Sequence, residues 1–152
     1  MLRKRFNEAL KGAMKARSER EVQTIRMVLA QLKDRDIAAR PKGNSEGIGD
    51  DEIAGMLQGM IKQRREAIPL FQQGGRPELV EKEEAEIRII EGFLPKQMDE
   101  AAIAQAVDAI IAETGAKTIK DMGKCMALIK ERYAGQLDMA KASGILKQKL
   151  SA

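Results

Sequence analysis

Apolar residues return every three or four positions along almost the whole of this 152-residue chain, and that period most constrains what it can fold into. Leu2, Phe6, Leu10 and Met14 recur at every fourth residue, with Ala9 and Ala13 beside them, which predicts a first amphipathic helix over 2–16. A side chain repeats its direction every 3.6 residues in a helix and every second residue in a strand. This spacing therefore builds one apolar face only if the segment is helical. Composition agrees with the pattern. Aromatic residues make up 3% of the chain and Trp is absent, so the core has to be built from Leu, Ile, Val, Ala and nine Met. Such side chains interlock well between helices and specify a sheet poorly. The predicted fold class is all-α.

Ser18, followed three residues later by Glu21, has capping-box spacing and opens a second helix to about Ala39 with Val22, Ile25, Leu29 and Leu32 on its apolar face. The Pro- and Gly-rich stretch from Arg40 to Gly49 reads as a loop. Asp50 or Asp51 is expected to cap a third helix bearing Ile53, Leu57, Met60, Ile61, Ile68 and Phe71. Pro69 lies inside that pattern and is expected to kink the last turn or end the helix early. Gly74-Gly75 is the stop, and Pro77 fits the first turn of a fourth helix carrying Leu79, Glu83, Glu86, Ile87, Ile90 and Leu94. Asp99, Thr118 and Asp138 are expected to cap three further helices. A boundary falls near Pro95. It divides an N-terminal long-helix bundle of about four helices (1–94) from a small three-helix C-terminal domain (95–152), the latter near the lower size limit for independent folding.

Histidine is absent, which removes the commonest general base and metal ligand. One cysteine, Cys125, excludes an internal disulfide, has no His to activate it, and reads as a small buried apolar filler. The chain is therefore expected to hold no catalytic residue of its own, no metal and no cofactor. No run of about 18 apolar residues occurs, so no membrane partner is expected. Met1-Leu2-Arg3-Lys4-Arg5-Phe6 leads straight into a charged helix pattern, and the expectation is an untargeted, cytosolic protein.

Charge is unevenly spread. Residues 1–42 carry 12 Lys and Arg against 5 Asp and Glu, residues 43–95 carry 6 against 11, and residues 96–152 carry 9 against 7. The basic ends suit an anion such as nucleic acid, or the basic and acidic helices face each other; both readings stand. Arg26, Lys33 and Arg40 form a basic line at one edge of the second helix's apolar face, suited to phosphates, to snorkelling over the core edge or to pairing with acids of the third helix. Arg64 falls near the centre of the third helix's apolar face, and Glu83 and Glu86 fall on the apolar side of the fourth. A lone buried guanidinium is very costly, so these groups are expected to meet, either as a structural ion pair setting helix register or as an anion site. Lys117, Lys120, Lys124, Lys130, Arg132, Lys141, Lys147 and Lys149 crowd the second domain. They suit a nucleic-acid backbone, or simply a solvated surface.

Several segments also fall in a familiar order. They are Thr24-Ile25-Arg26-Met27-Val28, then Ile61-Lys62-Gln63-Arg64-Arg65-Glu66 with Phe71, then Gly75-Arg76-Pro77-Glu78-Leu79 leading to Lys82-Glu83-Glu84-Ala85-Glu86. Phe93-Leu94-Pro95-Lys96-Gln97-Met98, Asp121-Met122-Gly123-Lys124-Cys125-Met126 and Gly135-Gln136-Leu137-Asp138 follow. Over essentially the whole chain this set resembles the GatB/YqeY family, specifically its stand-alone YqeY-like proteins. The resemblance implies a relation to the C-terminal region of GatB, the larger family member, which belongs to the glutamine-dependent aspartyl/glutamyl-tRNA amidotransferase and whose last helical domain is associated with gripping tRNA. The family label of carbon–nitrogen ligase with glutamine as amido donor belongs to a catalytic domain that nothing in these residues resembles. Carried over by position, the implied tRNA-facing residues are Lys120, Gly123 and Lys124, joined by Lys130 and Arg132. Cys125 stands where the family usually has Val, and Glu131-Arg132-Tyr133-Ala134 is less basic than the usual stretch. Two functions lead the expectations, ahead of a third, a true transamidation enzyme or subunit using a carboxylate such as Glu86. One is a non-catalytic module that binds tRNA or assists a tRNA-modifying or aminoacylation enzyme; the other is a protein–protein adaptor using the acidic third and fourth helices. The oligomeric state is left open.

Overall fold

The structure, a computed structural model, describes residues 1–151. The helices are α1 (Leu2–Lys15), α2 (Glu19–Ala39), α3 (Asp50–Gln73), α4 (Pro77–Glu91), α5 (Glu100–Thr114), α6 (Met122–Tyr133) and α7 (Met139–Leu150). Short 3-10 turns occupy Arg40–Lys42 and Ile119–Asp121, and no strand occurs among the described residues. The fold is all-α, as the apolar period predicts. Among the described residues no helix is long and apolar enough to cross a membrane.

The chain divides into two compact units, Met1–Leu94 and the stretch from Pro95 onward. In unit 1, α3 packs along α4, α1 along α2, and α2 against α4. Phe6, Ile25, Val28, Leu32, Ile53, Met56, Leu57, Met60, Ile87 and Ile90 form its core. Each such side chain, fully buried, contributes roughly 1.5–3 kcal/mol. The rings of Phe6 and Phe93 meet edge to face, with centroids 4.8 Å apart. In unit 2, α5, α6 and α7 pack on one another around Ile103, Val107, Ile110, Cys125, Ile129, Leu137 and Leu146. Cys125 is fully buried there, and its Sγ lies 3.6 Å from the Thr114 hydroxyl.

Helix ends show where local chemistry decided the outcome. Asp99 and Asp138 cap α5 and α7 by accepting the N–H of Ala102 and of Ala140, each at 2.8 Å. α3 starts one or two residues earlier than a cap at Asp50 or Asp51 predicts. Gly49, in extended backbone, takes the N-cap, and the Asp50 carboxylate instead meets the Leu2 N–H at 3.4 Å and the chain's amino group at 3.5 Å. Asp50, Asp51 and Glu52 still favour the first turn through the helix dipole. Ser18 is the N-cap of α2, but its side chain makes no capping hydrogen bond.

Pro69 does not end α3, since the helix runs on to Gln73. A proline this close to a helix end forfeits one backbone bond, and the end is closed by its own lock. Gly75, at φ +68, donates to Gln72 O at 3.2 Å while Arg76 N–H reaches Phe71 O at 2.9 Å, the paired bonds of a Schellman motif. The same motif ends α1, where Arg17 rather than a glycine holds the left-handed position at φ +56. Arg17 donates to Met14 O and Ser18 to Ala13 O.

Candidate functional site

Unit 2 carries the basic candidates, and the local chain explains how two of them, Lys124 and Lys130, come to share one exposed helix side with Lys120 in the turn before it. Before α6, Asp121 accepts backbone N–H groups from Lys117 at 3.0 Å and Thr118 at 3.2 Å. Thr118 and Asp121 together form a capping box. These bonds, Lys117 first and Thr118 next, hold the Asp121 carboxyl below the usual carboxylate range, with the nearby Lys124 ammonium adding to the effect. The turn is thereby fixed, and Lys120 leaves it exposed. Within α6, Met122, Cys125, Met126 and Ile129 pack against or into the core. Helical phase then puts Gly123, Lys124, Ala127 and Lys130 together on the opposite, solvent side, where all four are exposed.

Gly123 is informative because the fold does not need it. It is helical, and a Cβ built there meets nothing within 4 Å. A glycine inside a helix costs roughly 0.5–1 kcal/mol relative to alanine. Lys120, Lys124 and Lys130 make no ion pair among the described residues.

Arg132 is set apart from this group. Helical phase turns it towards α5, where its guanidinium forms a two-pronged pair with Glu113 at 2.6 and 2.5 Å. The pairing raises the Arg132 pKa and lowers that of Glu113. Lys149 is likewise engaged, at 2.6 Å from Asp108.

Unit 1 holds the arginine–glutamate cluster. Arg64 Nε donates to Glu86 Oε2 at 2.9 Å and lies 3.8 Å from Glu83 Oε2. Its two terminal nitrogens donate to Met60 O at 3.0 Å and to the Met27 Sδ at 2.9 Å. Side-chain exposures of 11% for Arg64, 7% for Glu86 and 19% for Glu83 make this a largely buried group. The guanidinium is engaged through all three of its nitrogens, so the cluster fixes α3 on α4 rather than presenting an open site for a substrate. Arg26, Lys33 and Arg40 do not join it; they lie along α2 and its 3-10 extension.

A second polar network in unit 1 has no precursor in the sequence pattern. Arg3 meets Asp36 through two bonds of 2.7 Å and donates to Ile48 O at 2.8 Å, while the Ile48 N–H reaches Asp36 at 2.9 Å. The Arg3 bond, aided by the Ile48 N–H, lowers the Asp36 pKa to about 2. It pins the 40–49 loop to α1 and α2. A loop that lacks periodicity gives no signal for such a contact. Among the described residues, no group of three or more Cys, Asp or Glu is arranged to hold a metal ion.

Among known proteins, the family model described as "Yqey-like protein" matches residues 3–150. Similar curated proteins are named "Altered inheritance of mitochondria protein 41, mitochondrial". The one from Eremothecium gossypii is 34% identical over 111 residues, 71% of this chain and 58% of the relative. That from Lachancea thermotolerans is 34% identical over 106 residues, 68% and 54%. That from Pyrenophora tritici-repentis is 27% identical over 133 residues, 84% and 71%. The matched stretch thus spans little more than half the length of the first two. These names overturn the cytosolic expectation, because the relatives are mitochondrial proteins. A charged N-terminal segment without an apolar run carries no information about an organelle. A match over 148 positions in a single unbroken stretch leaves one assignment: the chain belongs to the family of Yqey-like proteins.

Proposed function

We propose that this chain is a non-catalytic accessory module that binds folded RNA, tRNA being the first candidate, through the exposed face of α6 and the turn before it. The observation that carries this reading is the set Lys120, Lys124 and Lys130, exposed and without ion-pair partners among the described residues, flanking a glycine that the fold does not require. Two point charges on one side of α6 and a third in the turn before it suit a phosphate backbone. The bare backbone at Gly123 lets that backbone approach more closely than a side chain would permit. Recognition of this kind reads the shape and charge of a folded RNA rather than its sequence. The resemblance to the GatB tail supports tRNA as the ligand, and the amide-forming chemistry stays with the larger protein's separate catalytic domain. Arg132 is a weaker contact in this reading because Glu113 already occupies its fork.

Titration of fluorescent bulk tRNA with the full chain across a salt series tests this. Binding in the micromolar range that weakens steeply with salt supports it, and no binding at low salt refutes it.

One observation favours the adaptor reading. On α3, Gly55 and Gly59 are exposed one turn apart with nothing within 4 Å of a built Cβ, on a side that carries the exposed Asp51, Glu52 and Glu66 against one cation, Lys62. Two mid-helix glycines without an internal use suit close approach by a partner helix, and the flanking acids suit a basic one. RNA binding that is absent, with Gly55→Ala/Gly59→Ala abolishing a pull-down of a tRNA enzyme, favours this alternative.

A further inference from the structure

Unit 1 carries a groove of about 540 Å³ between α1, the start of α2 and the end of α4, lying outside both clusters described above. Its floor is apolar, formed by Ile25, Ala85, Ile89 and Phe93. Its rim is charged, with Arg20 on α2 and Arg88 in the last turn of α4. Both guanidinium groups are exposed, and neither has a partner among the described residues, although Glu21 also lines the groove.

We propose that this groove docks an acidic amphipathic helix of a partner protein. Charge complementarity selects the occupant. An apolar floor whose rim carries two unpaired cations against the one carboxylate of Glu21 calls for an apolar stripe edged with carboxylates, which is what one face of such a helix presents at i, i+3 or i+4, and i+7. Glu19 and Glu21 lie in the first turn of α2 and offset the positive end of that helix, so the excess positive charge at the rim is that of Arg20 and Arg88 over Glu21. Ala85 on the floor and Ala9 on the wall are small, which leaves room for side-chain knobs from the visitor. The groove is also preformed. Arg5 donates to Phe93 O and Gly92 O at 3.0 Å each, and its guanidinium lies 5.7 Å from the Phe93 ring centre. These contacts hold the end of α4 in place and engage Arg5 itself, so Arg20 and Arg88 are left to meet the visitor's carboxylates. A ribose-phosphate backbone has no use for the apolar floor.

The test uses the full chain and synthetic peptides, each a helix with Leu at i, i+3 and i+7 and a single Trp as reporter. The chain has no Trp, so peptide fluorescence is read without background. One peptide carries Glu at the flanking positions, a second carries Lys there, and a third carries the Glu set with the apolar order scrambled. The expected result is micromolar binding of the Glu peptide, at least tenfold weaker binding of the other two, and reversal of the Glu-over-Lys preference in Arg20→Glu/Arg88→Glu. Circular dichroism verifies that this variant of two exposed residues stays folded. Equal binding of the Glu and Lys peptides, binding untouched by the double substitution, displacement by tRNA, or no peptide binding each overturns the proposal. Self-association lost in the double variant, read by sedimentation velocity, overturns it too by making a second copy the occupant.

Discussion

Replacing Arg64 with Met is the perturbation whose cost the structure specifies most fully. The substitution keeps an unbranched side chain of similar reach and removes three donors at once. Glu86, 7% exposed at its side chain, loses the 2.9 Å bond that neutralises it, and Glu83 one turn away loses its counter-charge as well. Breaking a buried pair by deleting one partner costs about 3–5 kcal/mol. Glu83 at 19% exposure retains some water, so the lower end applies, about 3 kcal/mol. For a unit of this size each 1 kcal/mol moves Tm by about 4–8 °C, so the unit 1 transition should fall by roughly 12–24 °C. Adding Glu86→Leu removes the stranded charge. The double variant should then be less destabilised than Arg64→Met alone, with a coupling energy of about 2 kcal/mol. Because two units can unfold separately, the assay follows methyl signals of Met56 and Met60 by NMR during urea titration, alongside circular dichroism. A cost under about 0.5 kcal/mol for the single change, or strict additivity in the double, would refute the cluster as the register pin of α3 on α4.

Other consequences are as definite. Gly47 sits at φ +103, and a Cβ there would fall 2.7 Å from Arg3 and 2.8 Å from Asp36. Gly47→Ala should therefore cost at least about 2 kcal/mol in denaturant unfolding, combining backbone strain with a broken ion pair. The folded-state pKa of Asp36, about 2, is below its ordinary value. Its stabilisation is therefore complete above the unfolded-state value and fades as pH drops towards 2, and Asp36→Asn should flatten that acid limb in a thermal-melt series. Arg17→Gly removes a side chain from a left-handed position and should raise stability by about 0.5–1 kcal/mol. Gly123→Ala should stabilise unit 2 by a similar amount while weakening tRNA binding, since nothing within the protein opposes the methyl.

Much of the fold is written in a signal that survives without context. The four-residue recurrence from Leu2 to Met14, and the Asp residues before α5 and α7, specify helices through interactions internal to one or two turns. Long-range geometry is written less clearly. Ser18 occupies a capping position without capping, and Gly49 takes a role that the two acids after it suit better by type. Pro69 is tolerated within a helix that ends four residues later in a Schellman lock. Arg3 and Asp36 meet because a loop without periodicity folds back over them. Among the site residues, sequence identity marks Arg132 as one more cation of the basic stretch. Only the packing of α6 on α5 reveals that Glu113 neutralises it. The groove of unit 1 is assembled from three helices and has no contiguous motif to betray it.

Lys120, Lys124 and Lys130 carry the functional proposal, and the salt dependence of tRNA binding addresses them without intermediaries. Each phosphate contact contributes roughly 0.7–0.9 to the slope of log affinity against log salt. Affinity of the intact chain for tRNA is therefore compared with that of Lys120→Ala/Lys124→Ala/Lys130→Ala, verified as folded. Weaker binding and a slope reduced by about 2–3 are expected if these three side chains meet phosphates. An unchanged slope, or no measurable binding by the intact chain at low salt, would contradict the proposal.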